Sequence, residues 1–286
     1  MDFTANSSPR NAALPIRAVL HAGLILLALM ACGPAAAQSA AWTTHPALQD
    51  RWSIQIGVYT PNVSTTAHLN GAGGRIGTEV NFEDDLGYAD RKNMPAALAS
   101  VRLGARWRIE AEYLSLRREN THSLSRTINW GDNSYTLGTT VNSEFNSDIF
   151  RLSGGYSFVR DAQKEFGFTF GLHTTDFKMS IAASGIGSDT GDVLAPLPTI
   201  GAYGAYALTP KWLVSGRVDV FSLSYDVYDG SLTNATIGVD YRFFRNFGLG
   251  AAYRYIDYDL RVTKSSFNGG INYRFSGPLV YAVSSF

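Results

Sequence analysis

Cysteine is almost missing from this chain, since Cys32 is the only one among 286 residues. It lies in an N-terminal segment with the features of an export signal, so cleavage after Ala37 leaves a mature protein without a thiol. A thiol-free chain suits an oxidising compartment. The sequence also has no cluster of cysteine and histidine, which excludes an ordinary zinc site.

Excess charge of one sign is missing as well. The chain has 24 basic and 24 acidic residues, so it lacks the basic stripe of a nucleic-acid-binding protein. It has no Walker-type or dinucleotide-binding glycine motif, and no cofactor or metal is expected. No apolar run reaches the eighteen or more residues of a membrane-spanning helix, so no helical span is expected.

What the chain does contain is alternation of apolar and polar residues, with 16 Phe, 15 Tyr and 28 Gly. The clearest segment places Trp107, Ile109, Ala111 and Tyr113 on one face and Arg108, Glu110 and Glu112 on the other. Side chains of a strand point to opposite faces with a period of two. This segment is therefore predicted to be a strand with one apolar face and one polar face.

About ten such strands are predicted. They cover residues 51–60, 95–103, 106–116, 149–159, 166–177, 198–208, 212–223, 233–243, 247–260 and 270–286. Short turns at 104–105, a charged turn at 160–165, and turns at 209–211 and 245–246 share one end, and long excursions at 61–92 and 117–148 share the other. This layout predicts an all-β fold, a transmembrane antiparallel up-and-down β-barrel with short periplasmic turns and long extracellular loops. Eight or twelve strands remain open, because hairpins at 64–82 and 123–145 can be counted differently.

Two further predictions concern the strands near the C-terminus. Asp229-Gly230 has the composition of a tight turn. Gly277-Pro278 lies inside the last predicted strand and indicates a bulge, because proline cannot donate a ladder hydrogen bond.

The N-terminus divides into two parts ahead of residues 51–286, which form the predicted barrel. Residues 1–37 are predicted to be a signal peptide, with Arg10 and Arg17 before the apolar run 18–30. Residues 38–50 are a predicted periplasmic lead-in. Two alternatives stay open for the signal: lipoprotein processing at Cys32, and a membrane-anchoring helix.

The signal, the alternating strands and the C-terminal segment 281–286 resemble those of small Gram-negative outer-membrane β-barrel proteins. In that group a C-terminal aromatic residue belongs to the signal read by the barrel-assembly machinery; Phe286 matches it, whereas Ser284 departs from the usual hydrophobic residue. The resemblance implies location in the cell outer membrane, with outer-membrane lipid, lipopolysaccharide and the assembly machinery as partners. Residues 77–87 look like a family-specific motif without an assigned activity.

Outward aromatic residues crowd the end with the short turns and predict a membrane girdle. They are Trp52, Trp107, Phe158, Phe166, Trp212, Tyr241, Phe243 and Phe247.

The inward positions are rich in arginine. The predicted lumen-lining residues are Arg102, Arg106, Arg108, Glu110, Glu112, Arg151, Arg217, Asp219, Asp240, Arg242, Arg254 and Arg274. Eight arginines against four carboxylates leave an excess of about four positive charges. Two hypotheses follow: a lumen filled by an ion-pair network in a structural or surface-binding barrel, or a narrow pore that favours anions.

An enzyme is the alternative of another class. Ser153 and His173 have inward parity on neighbouring strands, and a Ser–His pair would activate a nucleophile in a lipid hydrolase or a rim protease. The ten-stranded outer-membrane proteases resemble this layout in strand count, but their paired acidic and His–Asp rim residues have no counterpart in this sequence. No carboxylate is placed to orient His173, so the chain is not expected to be an enzyme. Acidic loop residues such as Glu83, Asp85 and Asp189 are expected to be solvated, with a Ca²⁺ or Mg²⁺ site as the alternative.

Overall fold

The computed structural model describes residues 42–225, 228–264 and 268–286. The predicted signal 1–37, with Cys32, and residues 38–41 lie outside the described residues. The helices are α1 (Pro46–Gln49) and α2 (Phe82–Leu86), with a short 3₁₀ turn at Ala72–Gly74. The strands are β1 (Trp52–Tyr59), β2 (Asn62–Leu69), β3 (Val80–Asn81), β4 (Met94–Leu103), β5 (Trp107–Ser123), β6 (Ile128–Trp130), β7 (Asn133–Tyr135), β8 (Thr140–Arg160), β9 (Lys164–Ala183), β10 (Gly187–Ala207), β11 (Trp212–Tyr225), β12 (Tyr228–Phe244), β13 (Phe247–Thr263) and β14 (Asn268–Ser285). No helix in these ranges has both the length and the apolar character needed to cross a membrane.

Ten antiparallel strands close into a barrel, which confirms the predicted fold class and strand count. Their order is β1-β4-β5-β8-β9-β10-β11-β12-β13-β14, and β1 pairs back with β14. The chain ends complete the closure: the Trp52 N–H donates to the Phe286 carbonyl over 2.8 Å, and the Phe286 N–H donates to the Trp52 carbonyl over 3.0 Å. Strands β2 and β3 extend the sheet beside β14, outside the closed ring.

The outward faces of the lower strand halves form an apolar band, as the alternation predicts. Six of the eight predicted girdle residues are exposed, and Tyr241 and Phe247 are half-buried. Two ring pairs connect neighbouring strands at the end with short turns. Trp212 lies 4.7 Å from Tyr241, and Trp107 lies 5.0 Å from Tyr156, between ring centroids.

Three local predictions were wrong. Asp229 and Gly230 lie within β12, opposite Ser224 and Leu223 of β11, because the ladder continues to Tyr225↔Tyr228. The charged turn is shorter than predicted, since β8 runs to Arg160 and β9 begins at Lys164. Gly277 and Pro278 cause no bulge against β13, where they pair in register with Arg254 and Tyr253.

The irregularity near Pro278 lies on the other edge of β14. There β14 pairs with β2 as far as Ser276, and with β1 from Leu279 onward. Strands β1 and β2 therefore lie end to end along this edge of β14, with a break between them at Thr60-Pro61. The Thr60 N–H donates to the Pro278 carbonyl over 2.9 Å. A side chain at Gly277 would place its Cβ 2.6 Å from the Thr60 carbonyl oxygen, so glycine is required where the break passes.

Above the apolar band the barrel wall divides into two facing sheets, which we call the crown. One sheet consists of β5, β8, β9 and β10, and the other of β11 to β14 with β2. The ladder between β10 and β11 ends at Ile200↔Val220, although β10 stays paired with β9 to Gly187. Pro196 and Pro198 lie immediately beyond that end and lack N–H groups, which explains why this ladder stops.

Apolar side chains from both sheets fill the crown. Phe145 and Phe177 of the first sheet meet Tyr273 of the second, with ring centroids 5.3 and 5.7 Å apart. Tyr258 packs against Phe177 at 6.0 Å. All four rings are fully buried. The extracellular half is therefore a packed core with the density of a protein interior.

Helix α2 and the β6–β7 hairpin cover this core from above. Phe82 of α2 is 1 % exposed and packs against Phe145 and Trp130, at 5.5 and 6.0 Å. The Asn81 side chain caps α2 by accepting from the N–H groups of Glu83 and Asp84. Gly87 ends it with φ 66°, a left-handed conformation that favours glycine. The motif at 77–87 thus builds a lid on the crown.

The lead-in forms a plug at the opposite end. Helix α1 places Leu48 in a small apolar cluster with Ala207 and Leu213. Trp42 donates its indole N–H to the Pro210 carbonyl over 2.7 Å. Arg102 and Arg160 donate to the carbonyls of Ala47 and Leu48, over 2.9 and 2.8 Å.

Candidate functional site

Between the plug and the crown, the barrel interior is crossed by what we call the arginine–carboxylate layer. Its cations are Arg102, Arg108, Arg151, Arg217, Arg242 and Arg254, and its carboxylates are Glu110, Glu112, Glu165, Asp219 and Asp240. Alternation positions them, because the inward residues of β4, β5, β8, β9, β11, β12 and β13 meet at one level. On each of these strands, the adjacent residues point outward and belong to the apolar band.

Glu110 and Glu112 of β5 are the centre of the layer. Glu112 accepts from Arg254 over 2.6 Å and from Arg151 over 2.9 Å. Glu110 pairs with Arg108 and Arg217, and lies 3.4 Å from Arg151. Arg151 joins the two glutamates. Because these groups are almost fully removed from solvent, each carboxylate depends on its arginines for compensation.

A second group surrounds Asp219 on β11. Arg217 donates to this carboxylate over 2.6 and 2.8 Å, and the Thr169 hydroxyl donates over 2.9 Å. Asn234 connects this group to the centre, because its side-chain oxygen accepts from Arg254 over 3.0 Å. Asn234 was not among the predicted residues, although its inward parity on β12 could have identified it.

Glu165 is the carboxylate that the sequence prediction missed, because it was assigned to the charged turn. It is 1 % exposed and accepts from Arg102 over 2.5 and 2.7 Å and from the Ser157 hydroxyl over 2.6 Å. The alternation of Phe166 and Phe168 extends back by one residue and puts Glu165 on the inward face. That signal was present in the sequence.

Arg106 and Arg274 do not line the lumen, and these two predictions were wrong. Arg106 lies exposed in the turn between β4 and β5, where it donates to the Phe158 carbonyl. Arg274 lies outward on β14 because this strand buries Tyr273 and Phe275 instead, and it pairs with Asp257 over 2.9 Å. The parity of a strand that continues into the crown was assigned to the wrong face.

These placements change the charge of the interior. Six arginines face five carboxylates in the layer, instead of eight facing four, so the predicted surplus of positive charge nearly disappears. Asp50 of the lead-in lies close to the remaining cation, Arg242. A lumen of this composition has little net field with which to attract anions.

Arg242 differs from the other arginines because it is fully buried and none of its three guanidinium nitrogens has a hydrogen-bond partner among the described residues. It lies on the side of the layer that faces the plug, near Asp240, Asp50 and His45. The Tyr281 hydroxyl donates to Asp240 over 2.5 Å. Burial, reinforced by the charge of Arg242, lowers the pKa of His45 to about 4.

A cavity of about 180 Å³ lies beside the layer. Its other wall carries small polar side chains, among them Ser53, Ser100, Ser215 and Thr236. Leu48 of the plug and Leu279 also line it. The space suits several water molecules that solvate the guanidinium groups, and the plug separates it from the periplasmic side.

Ser153 and His173, the residues of the enzyme alternative, are both buried within the layer. The Ser153 hydroxyl accepts from Arg151 and Arg217, each over 3.2 Å. His173 makes no hydrogen bond with either ring nitrogen among the described residues, and it pairs across the ladder with Arg151 rather than Ser153. The two side chains are therefore not arranged as nucleophile and base.

The acidic loop residues are engaged by protein groups. Glu83 pairs with the buried Arg118 over 2.5 Å, Asp85 pairs with Arg126 over 2.6 Å, and Asp189 accepts from Asn133 over 2.8 Å. Over the described ranges, no three His, Cys, Asp or Glu residues are grouped so as to hold a metal ion.

Solved structures with a similar fold are outer-membrane proteins. The outer-membrane protease OmpT from Escherichia coli matches with a TM-score of 0.55 and 14% identity, over 86% of this chain and 99% of that chain. The chain has the fold of an outer-membrane β-barrel protein. The translocator domain of the autotransporter NalP from Neisseria meningitidis matches with a TM-score of 0.39 and 13% identity, over 94% and 98%. Neisserial surface protein A matches with a TM-score of 0.34 and 14% identity, over 82% and 97%.

This likeness to OmpT concerns the fold alone. No protein-family model matches the chain, and no curated protein matches its sequence.

Proposed function

We propose that this chain is an exported outer-membrane barrel that is closed to ions and acts as a structural or surface-binding protein, not as an enzyme. The observation that carries the proposal is the occupation of the lumen at three successive levels. The plug closes the periplasmic end, the arginine–carboxylate layer crosses the middle, and the aromatic core fills the crown.

Closure at three levels argues against the narrow anion-favouring pore. An ion would have to displace α1, pass a layer in which five of the six arginines are paired with carboxylates, and then cross a core in which Phe145, Phe177 and Tyr273 are fully buried. Entry into such a core would remove the ion's hydration shell without supplying polar ligands, which is strongly unfavourable.

Single-channel recording in a planar bilayer tests the proposal, with the chain 38–286 that cleavage after Ala37 would produce. We expect no conductance steps. A positive control is a variant without residues 38–50 that also carries Phe145→Ala, Phe177→Ala and Tyr273→Ala, because it removes two of the three seals. Stable steps from the unmodified chain, with the selectivity of a defined pore, would overturn the proposal.

The enzymatic part of the proposal rests on the absence of a hydrogen bond between Ser153, which accepts from Arg151 and Arg217, and His173. Turnover of ester, lipid and peptide substrates by the refolded barrel is expected to be absent. Activity that disappears in His173→Ala, while the variant keeps its heat-modifiable gel mobility, would contradict this part and restore the hydrolase alternative.

Export and assembly belong to the same proposal. Residues 1–37 would direct export, and Phe286 would be read by the barrel-assembly machinery before the barrel contacts outer-membrane lipid and lipopolysaccharide. The mass of the mature protein distinguishes the two processing routes, because cleavage after Ala37 gives a chain beginning at Gln38, whereas lipoprotein processing leaves a lipid-modified Cys32.

A further inference from the structure

A gap in the barrel wall opens on the outer surface above the apolar band, between β5 and the segment that leads to β4. Strand β4 begins only at Met94, and its ladder with β5 reaches no further up than Ala96↔Leu114, but β5 continues to Ser123. The segment 88–93 that passes this edge is attached to the opposite side, because the Val63 N–H of β2 donates to the Asp90 carbonyl over 2.7 Å. No backbone hydrogen bond joins residues 88–93 to β5, both of which are fully described.

The result is what we call the lateral cleft, with a volume of about 590 Å³. It is lined by Tyr88, Lys92, Arg117, Arg118, Glu119 and Glu144. This volume falls within the roughly 300–1,000 Å³ of pockets that hold small ligands. Along the free edge of β5, backbone groups point alternately toward the cleft and toward β8.

One wall of the cleft holds two carboxylates in an unfavourable arrangement. Glu119 and Glu144 lie directly opposite each other on β5 and β8. Both side chains face outward, and neither has a salt-bridge partner among the described residues, although Asn146 donates to one oxygen of Glu144. Like charges directly across a ladder destabilise it, so groups that donate to both carboxylates would relieve the repulsion.

Donors lie on the other side of the cleft. Arg118 is 4 % exposed, and its two terminal nitrogens bond Glu83 and Thr65, but its Nε has no partner in the described part of the chain. The guanidinium group lies over the Tyr88 ring, 4.8 Å from its centroid. Lys92 adds a cation that forms no salt bridge among the described residues.

We propose that the lateral cleft binds a saccharide, whose neighbouring hydroxyl groups donate to Glu119 and Glu144 and accept from Lys92 and from Nε of Arg118. Sugar hydroxyls suit this arrangement because each one both donates and accepts, and the cleft presents carboxylates without a cationic partner beside cationic donors, with no large excess of either charge. An anion would be repelled by the glutamates, and a metal ion by the two cations. This inference rests on the surface-binding role proposed above and names the class of ligand.

Isothermal titration calorimetry with the refolded mature chain tests the inference with two probes. One is the core oligosaccharide released from lipopolysaccharide by mild acid, and the other is maltoheptaose, a neutral oligosaccharide that does not come from lipopolysaccharide. Binding of either probe supports the saccharide site and identifies its source. Binding of neither would overturn it.

The double variant Glu119→Gln with Glu144→Gln tests the site itself, because it keeps the shape and removes both charges. We expect affinity to fall about tenfold or more, since hydrogen bonds to charged groups are stronger than neutral ones. Asp229→Asn, an exposed substitution on β12, serves as the control and should bind like the unmodified chain. Unchanged binding by the double variant would overturn the site. A barrel that shows no conductance and binds no sugar would contradict only the saccharide site. Ion conductance would contradict the proposed closure of the lumen.

Discussion

Phe177 and Tyr273 meet edge-to-face inside the crown, with ring centroids 5.7 Å apart and planes at 85°. They belong to β9 and β14, two strands on opposite sheets of the crown. This contact shows that the two walls of the extracellular half touch through their side chains. The crown is therefore a packed domain built on the barrel, and its stability depends on core packing as in a water-soluble protein.

Phe177→Ala is expected to lower the free energy of unfolding by about 3–5 kcal/mol, because it removes a fully buried ring and leaves a cavity. Phe170→Ala on the same strand is the matched control, since Phe170 is 60 % exposed on the outward face. Denaturant titration followed by gel mobility measures both variants. Similar losses from the two variants would contradict the packed crown.

Arg254→Ala is expected to destabilise the barrel by about 3–5 kcal/mol, because Glu112 would stay buried with only part of its compensation. Arg274→Ala removes an exposed pair with Asp257, and its effect should stay within about 1 kcal/mol. The same titration compares them. If Arg254→Ala proves as mild as Arg274→Ala, the layer does not depend on its ion pairs.

Docking of the plug is expected to weaken as the pH falls from about 6.5 toward 4. The pKa of His45 is lowered to about 4 by burial and by Arg242, so the unfolded segment binds a proton more readily than the docked one. The stability that neutral His45 contributes to the docked plug is complete above pH 6.5 and is lost as the pH falls toward 4. Hydrogen exchange of residues 42–50, expressed as protection factors relative to the unfolded chain at each pH, measures the loss.

His45→Asn is the control for this pH dependence. His45 Nδ1 accepts from the Ala47 N–H at the start of α1 over 3.3 Å, and the asparagine side chain supplies an oxygen that can replace this cap. Asparagine at this position cannot titrate, so the protection factors of the variant should not change over the same pH range. A variant that loosens like the unmodified chain would assign the effect to another group.

Glu119→Gln is expected to stabilise the crown by roughly 0.2–1 kcal/mol, because it removes repulsion from Glu144 directly opposite. Asp229→Asn should have an effect of similar size and opposite sign, because Asp229 lies opposite Arg261 on β13. Thermal unfolding monitored by gel mobility shows whether each variant is more or less stable than the unmodified chain. Destabilisation by Glu119→Gln would show that the glutamate has a favourable partner.

Much of the fold could be predicted from the sequence because alternation is a local signal. The period of two in Trp107 to Tyr113 identifies a strand and its faces without knowledge of any neighbour. Turn composition identified 209–211 and 245–246 for the same reason. The strand ends in the crown could not be predicted in this way, because there the inward face is apolar and the outward face polar.

The inward face of the strands is polar in the lower half of the barrel and apolar in the crown, and this change explains the errors at the candidate site. In the membrane, polar residues of a strand face inward, and above it they face outward. Arg274 was assigned by the rule for the lower half, although it lies in the upper half beside Phe275. The ion pairs inside the lumen could not be assigned from the sequence either, since pairing among Arg151, Glu110 and Glu112 depends on a register that alternation does not specify.

The crown core also sets an order of events during assembly. Phe145 lies on β8 and Tyr273 on β14, so their contact cannot form until the last strand has entered the sheet. Contacts between distant parts of a chain form slowly, because loop-closure entropy must be overcome first. A chain stalled before β13 would expose Phe145 and Phe177 to proteases and to aggregation. Burial of these rings therefore marks the moment when barrel closure is complete.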